Sequence, residues 1–250
     1  LDYREMAPAA ASRDMYLGPD GKLTSKSTVG HLASGVPGSV AGMSAALAKY
    51  GTMSLAKVME PAIRMARDGF IADSNFTRGG QCSRLIAQFE GKDLFCPGGM
   101  AVPVGALFKQ PDLARTLAMI AAQGPKAFYE GSIADSLVAE EQRGGGIITK
   151  ADLKNYKPEW RTPVIGKYRG YTLITMPPAS SGGVTMNETL NILENFAPLP
   201  PAGSAAYAHV MAEALRRSFT DRNMKLGDPA FEKVPMAELT SKAYAKTLAA

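Results

Sequence analysis

Strand-forming sequence is scarce in this chain, and that scarcity constrains its fold more than any other feature. One stretch, TPVIGKYRGYTLITMP (residues 162–177), carries β-branched and aromatic residues on both sides of Arg169-Gly170 and reads as a hairpin. The rest is punctuated as helix. Ser39 stands as a cap for a helix through Tyr50, with Gly51 past its end. A helix beginning near Ser54 is expected to break at Pro61, which starts a second one from Pro61 to Asp68, closed by Gly69. Pro111 opens PDLARTLAMIAAQ, Gly124 ends it, and Leu113, Leu117 and Ile120 share one face. Ser132 with Asp135, and Thr149 with Asp152, both have capping-box spacing. Ser204 is expected to cap a long helix to about Leu226 with an apolar stripe of Tyr207, Val210, Met211, Ala214 and Leu215. APLPPAG (197–203) is a loop between helices, and LTSKAYAKTLAA is a final helix with Thr240 at its N-cap. Amphipathic helices with one hairpin describe a helical layer that needs a sheet to bury against.

Composition narrows the function classes. The apolar share is 46% and the charged share 20%, as in ordinary globular proteins. The net charge is +5, but the 28 basic residues are scattered and the longest runs are pairs such as Arg216-Arg217, which argues against a nucleic-acid groove. No apolar run approaches the ~20 residues that span a bilayer. Leu1 in place of an initiator methionine reads as trimming or cleavage. Cys82 and Cys96 are the only cysteines, and His31 and His209 the only histidines, too few at regular spacing for a zinc site. The cysteines read equally as a disulfide, whose loop would contribute roughly 3 kcal/mol, or as two buried thiols.

Several motifs invite chemistry and yield to plainer readings. Gly144 to Gly146 is a helix exit rather than a phosphate loop, because each Gly-Lys pair is followed by Leu, Asp or Tyr, not Ser or Thr. His209 and Glu213 lie one turn apart and read as an exposed pair. His31 has no nucleophile elbow to serve. Ser180 and Ser181 in MPPASSGG (176–183) suit a strand-to-helix turn, and Asp221 and Arg222 an internal ion pair. The opening LDYREMAP sets Asp2, Arg4 and Glu5 around one tyrosine. Its arginine is either a solvated terminal charge or an anion clamp.

The phrases LDYREMAPAAASRDMYL, HLASGVPGSVAGMSAALAKYGTMSL, AIRMARDGF, FYEGSIADSL, GGIITKADLKNYKPEWRTPV, YRGYTLITMPPASSGG, LNILENF and DRNMKLGDPAF occur in one order along the whole chain. In that order the chain resembles the large subunit of the γ-glutamyltranspeptidase family. Departures are Ala179 in place of a third proline, the Phe219 before Thr220-Asp221-Arg222, and the stretch from Thr77 to Gly105. The resemblance implies an α/β (α+β) fold, the N-terminal-nucleophile hydrolase αββα sandwich, to which this chain contributes mainly helices plus a hairpin. It implies that residues 1–250 form a single domain, an internal part of the large subunit, completed as a heterodimer by a small subunit from the same self-cleaving precursor. The nucleophile is then the small subunit's N-terminal threonine, so no catalytic residue is expected in this chain. By the same resemblance Arg4 binds the α-carboxylate of a γ-glutamyl substrate such as glutathione, and Glu5 orients Arg4 or meets the α-ammonium. No metal or other cofactor is implied, and the setting is periplasmic or secreted. The alternatives are a β-lactam (cephalosporin-type) acylase of the same superfamily and a non-catalytic binding protein that keeps the fold.

Overall fold

The structure, a computed structural model, describes residues 1–78, 82, 89 and 91–250. Its contacts gather into two compact units, Leu1–Trp160 and Arg161–Ala250.

In the first unit, α1 spans Ser39–Tyr50 and α2 Leu55–Asp68. The cap of α1 is Gly38, with Ser39 already helical, one residue away from expectation. The helix α2 is a second correction: it runs through Pro61 without a break. Pro61 and Lys57 are both exposed, so water can satisfy the Lys57 carbonyl that loses its helical donor. Gly69 closes α2 at φ 90°, a conformation that favours glycine. A short antiparallel pair that the sequence did not announce follows, β1 (Phe70–Ile71) with β2 (Leu107–Phe108), Phe70 opposite Phe108. Between them lie α3 (Ser74–Arg78) and α4 (Lys92–Phe95). Phe70, Phe76, Phe95 and Phe108 cluster there with ring centroids 4.8 to 5.7 Å apart, and Cys82 is bonded to Cys96.

Four helices complete the unit: α5 (Pro111–Gln123), α6 (Lys126–Glu130), α7 (Ser132–Arg143) and α8 (Lys150–Asn155). On α5, Ile120 is buried as expected, but Leu113 is exposed and Ala114 is buried instead. The α7 cap is the extended Gly131, and Ser132 makes no cap bond, so the capping box expected there does not form. The box at α8 does: Thr149 Oγ1 accepts from Asp152 N, and Thr149 N donates to Asp152 Oδ2. The core of the unit is Val36, Tyr129, Ala134, Val138, Ile148, Leu153 and Tyr156.

The second unit holds the foreseen hairpin, β3 (Val164–Tyr168) and β4 (Tyr171–Thr175). Arg169 and Gly170 both take positive φ, 48° and 88°, as a two-residue primed turn requires. Four helices follow: α9 (Gly182–Leu193), α10 (Ala205–Lys225), α11 (Met236–Leu239) and α12 (Lys242–Ala249). Ser204 caps α10 as expected, whereas α12 is capped by Ser241 rather than Thr240. Buried α9 is wrapped by the hairpin, α10 and α12, and much of what it buries is polar: Asn187, Glu188, Thr189 and Asn191. Three of these are satisfied across the interface or along the helix. Asn187 donates to Thr175 Oγ1, Thr189 to Ser218 Oγ, and Asn191 to the Thr240 carbonyl.

Candidate functional site

The segment Asp2 to Met6 is tied down at every second residue. Asp2 pairs with Glu159 through two main-chain hydrogen bonds of 2.7 and 2.8 Å, and Met6 pairs with Val36 through bonds of 3.2 and 2.8 Å. Between these bridges, the Tyr156 hydroxyl donates to the Arg4 carbonyl at 2.8 Å. Farther on, Ala9 N donates to Asp152 Oδ1 at 2.8 Å, so the α8 capping carboxylate also holds the chain beyond the site.

Small residues make this close approach possible. A Cβ on Gly42 of α1 would run into the Tyr3 ring, and one on Gly38 into the Tyr156 hydroxyl and the Tyr3 carbonyl. At Gly35 a Cβ would come within 2.9 Å of Cβ and Cγ of Glu5. These three glycines come from HLASGVPGSVAGM, which makes that phrase a seat for the N-terminal segment.

On this pinned backbone the side chains of Arg4 and Glu5 stand 56% and 63% exposed. Their charged groups are 3.7 Å apart, beyond hydrogen-bond length. An exposed pair at that distance contributes little to stability. A planar guanidinium in such a position can grip a carboxylate through two parallel hydrogen bonds.

Tyr156, which supports Arg4, is itself buried and stacks on Tyr129, ring centroids 5.8 Å apart and planes 7° from parallel. The Tyr129 hydroxyl donates to the Pro37 carbonyl and accepts from Ala41 N. Burial, with Tyr129 and the carboxylates of Asp2, Glu5 and Glu159 adding to it, pushes the Tyr156 phenol up to about 12, so it remains a hydrogen-bond donor at physiological pH. Sequence reasoning did not find this residue. Its contact spans 152 positions, and the signal available was its place inside the matched phrase TKADLKNYKPEW.

The other sequence candidates have contacts of their own. His31 pairs with Glu140 at 2.8 Å, and Arg143 forks onto the same carboxylate. The glycines after α7 leave room for that cluster, since a Cβ on Gly144 would strike the His31 ring. Glu213 bonds Arg216 on α10, with His209 exposed nearby. Ser181 precedes α9 and accepts from Arg222 Nε at 3.1 Å. Asp221 and Arg222 do not pair: Asp221 accepts from Tyr244 Oη at 2.6 Å and meets Lys225 at 3.2 Å, while Arg222 turns to Ser181 and Asn223. Successive residues on a helix point about 100° apart, which separates these two. Among the described residues no cluster of three His, Cys, Asp or Glu side chains is arranged to hold a metal, and no helix is long and apolar enough to cross a membrane.

Residues 1–250 match the family described as gamma-glutamyltranspeptidase. The chain is 49% identical over 257 residues to a glutathione hydrolase proenzyme of Escherichia coli (strain K12), a match that takes in 100% of this chain and 44% of that precursor. It is 39% identical over 258 residues to the acylase ACY 1 proenzyme of Pseudomonas sp. (strain V22), covering 98% of this chain and 46% of that one. The solved gamma-glutamyltranspeptidase of Helicobacter pylori superposes with a TM-score of 0.94 at 39% identity, over 99% of this chain and 72% of the solved one. The chain belongs to the γ-glutamyltranspeptidase family and has the N-terminal-nucleophile hydrolase fold, of which its described residues carry helices and two small antiparallel pairs. It spans less than half the length of the curated precursors it matches, the fit expected of their large-subunit portion.

Proposed function

We propose that residues 1–250 act as one domain of a large subunit, joined to a small subunit of the same precursor in an enzyme that hydrolyses and transfers γ-glutamyl groups. Arg4 binds the α-carboxylate of the γ-glutamyl donor, and Glu5 orients Arg4 or meets the donor's α-ammonium. The observation that carries this reading is a more-than-half-exposed guanidinium on a backbone fixed at Asp2, Arg4 and Met6. A charge-assisted bond of this kind is worth on the order of 1.5–3 kcal/mol, enough to prefer glutamyl donors over simple amides.

The chemistry is acyl transfer. The threonine hydroxyl at the start of the small subunit attacks the γ-amide carbonyl while its own α-amine takes the proton. The tetrahedral intermediate, held by small-subunit donors, collapses with return of that proton to the departing amine and leaves a γ-glutamyl ester. Water then releases glutamate, or an amino acid or peptide takes the acyl group. The Cys82–Cys96 bond supports a secreted or periplasmic setting, where disulfides persist.

The test is Arg4→Lys in the full precursor, which keeps the charge and removes the fork. The expected result is a KM for γ-glutamyl anilide raised roughly 10- to 100-fold with self-cleavage intact. An unchanged KM removes Arg4 from the site. The 39% identity to an acylase proenzyme motivates a second arm that compares γ-glutamyl with glutaryl amides. A glutaryl amide keeps the terminal carboxylate and lacks only the α-ammonium, so its preferential hydrolysis would move the function to acylase chemistry.

A further inference from the structure

We infer that Tyr156 is a positioning residue for substrate binding: its hydroxyl fixes the Arg4 peptide, and α8 thereby sets where the guanidinium starts. The inference rests on the reading of Arg4 as the carboxylate clamp. An arginine has four side-chain torsions, and the entropy lost on binding falls when the backbone that carries it is already immobile. The bridges at Asp2 and Met6 hold residues on either side of Arg4. Tyr156 holds Arg4 itself, through a 2.8 Å bond to its carbonyl.

The hydroxyl is set with unusual completeness. Its ring is buried and lies parallel on Tyr129, whose own hydroxyl is fixed by Pro37 and Ala41 at the start of α1. Tyr156 also terminates α8, its N–H donating to the Leu153 carbonyl, and Leu153 is fully buried. The opposite end of α8 holds Ala9 through Asp152. The helix α8 with its C-cap therefore grips the N-terminal segment at two points, Arg4 and Ala9. Gly38 keeps open the space that the Tyr156 hydroxyl occupies.

The experiment is Tyr156→Phe in the full precursor, which keeps the ring and its stack and removes the one bond to Arg4. Tyr129→Phe is the control, because it removes an equally internal hydroxyl that touches Pro37 and Ala41 rather than Arg4. Expected for Tyr156→Phe is a KM for γ-glutamyl anilide raised about three- to tenfold, the range of one hydrogen bond, with kcat within about twofold and self-cleavage complete. Tyr129→Phe, one step removed from Arg4, should raise KM by less than Tyr156→Phe does. In an Arg4→Ala background, Tyr156→Phe should add nothing further. An equal KM increase in that background, an equal increase in Tyr129→Phe, no increase at all, or failure of Tyr156→Phe to mature would each overturn the positioning role. If Arg4→Ala alone leaves KM unchanged, it is the clamp reading that fails, and the two failures are thus told apart.

Discussion

On α9 the side chain of Glu188 is 1% exposed, and its Oε1 atom makes no hydrogen bond. Burial, followed by the neighbouring Asp221, pushes its carboxyl up to about 8. Asp221 is moved the other way: burial raises it, but hydrogen bonds from Tyr244, Glu188 and Lys225 outweigh that and hold it below the usual carboxylate range. At neutral pH the pair is thus one carboxylic acid beside one carboxylate, with the Lys225 ammonium, itself raised, close to the latter. A raised acid binds a proton in the folded state that the unfolded chain has released. The Glu188 contribution is therefore fully present below about 4.5 and is lost as pH rises through about 8. We expect thermal stability to fall across that window, and Glu188→Gln, which cannot ionise, to flatten the fall. Melting temperature against pH for both chains checks it; parallel curves would show that Glu188 does not titrate there.

At the scale of elements, α8 combines a local device with a distant one. Its capping box is local, and Thr149→Ala should cost about 1 kcal/mol, as lost N-caps do. Asp152→Ala should cost more, because Asp152 accepts from Thr149 N and also from Ala9 N. Urea midpoints of the two variants give the order, and a reversed order would mean that the Ala9 tie is idle. The same contrast explains what the sequence disclosed. Hairpin β3–β4, the α8 box and the Ser204 cap depend on residues a few positions apart, and their patterns were readable. Ser132-Asp135 has the same spacing as Thr149-Asp152, yet an extended Gly131 took the cap position and left Ser132 inside α7. Pro61 failed as a stop because its exposed turn tolerates a missing donor. The β1–β2 pair has two residues per strand, too few to show alternation, and is carried by four phenylalanines from separate elements. Arg4 was visible through its motif. Its support was not, since Tyr156, Gly38 and Gly42 meet the N-terminal segment only once the chain has folded.

At the scale of the whole molecule, the second unit leaves apolar surface uncovered. On the hairpin, Ile165 and Ile174 lie directly opposite one another at 63% and 72% exposure, on the face turned away from α9. Between α9 and α10 a groove of about 440 Å³ is walled by Met186, Leu190, Leu193, Met211, Leu215 and Phe219. A two-stranded sheet is marginal by itself and presents unpaired edges on both sides. Apolar faces of this kind mark surfaces that a larger assembly covers, in keeping with a chain that spans 44% of its E. coli relative. Expressed alone, residues 1–250 should bind an apolar fluorescent dye and self-associate as concentration rises. Ile165→Thr with Ile174→Thr keeps β-branched residues in both strands while removing apolar area from the face. The double variant should lower dye binding and shift sedimentation toward the monomer, with the circular dichroism spectrum unchanged. If dye binding and association stay as they were, the hairpin face is not the exposed surface that matters, and Met186→Gln with Phe219→Gln puts the groove to the same test.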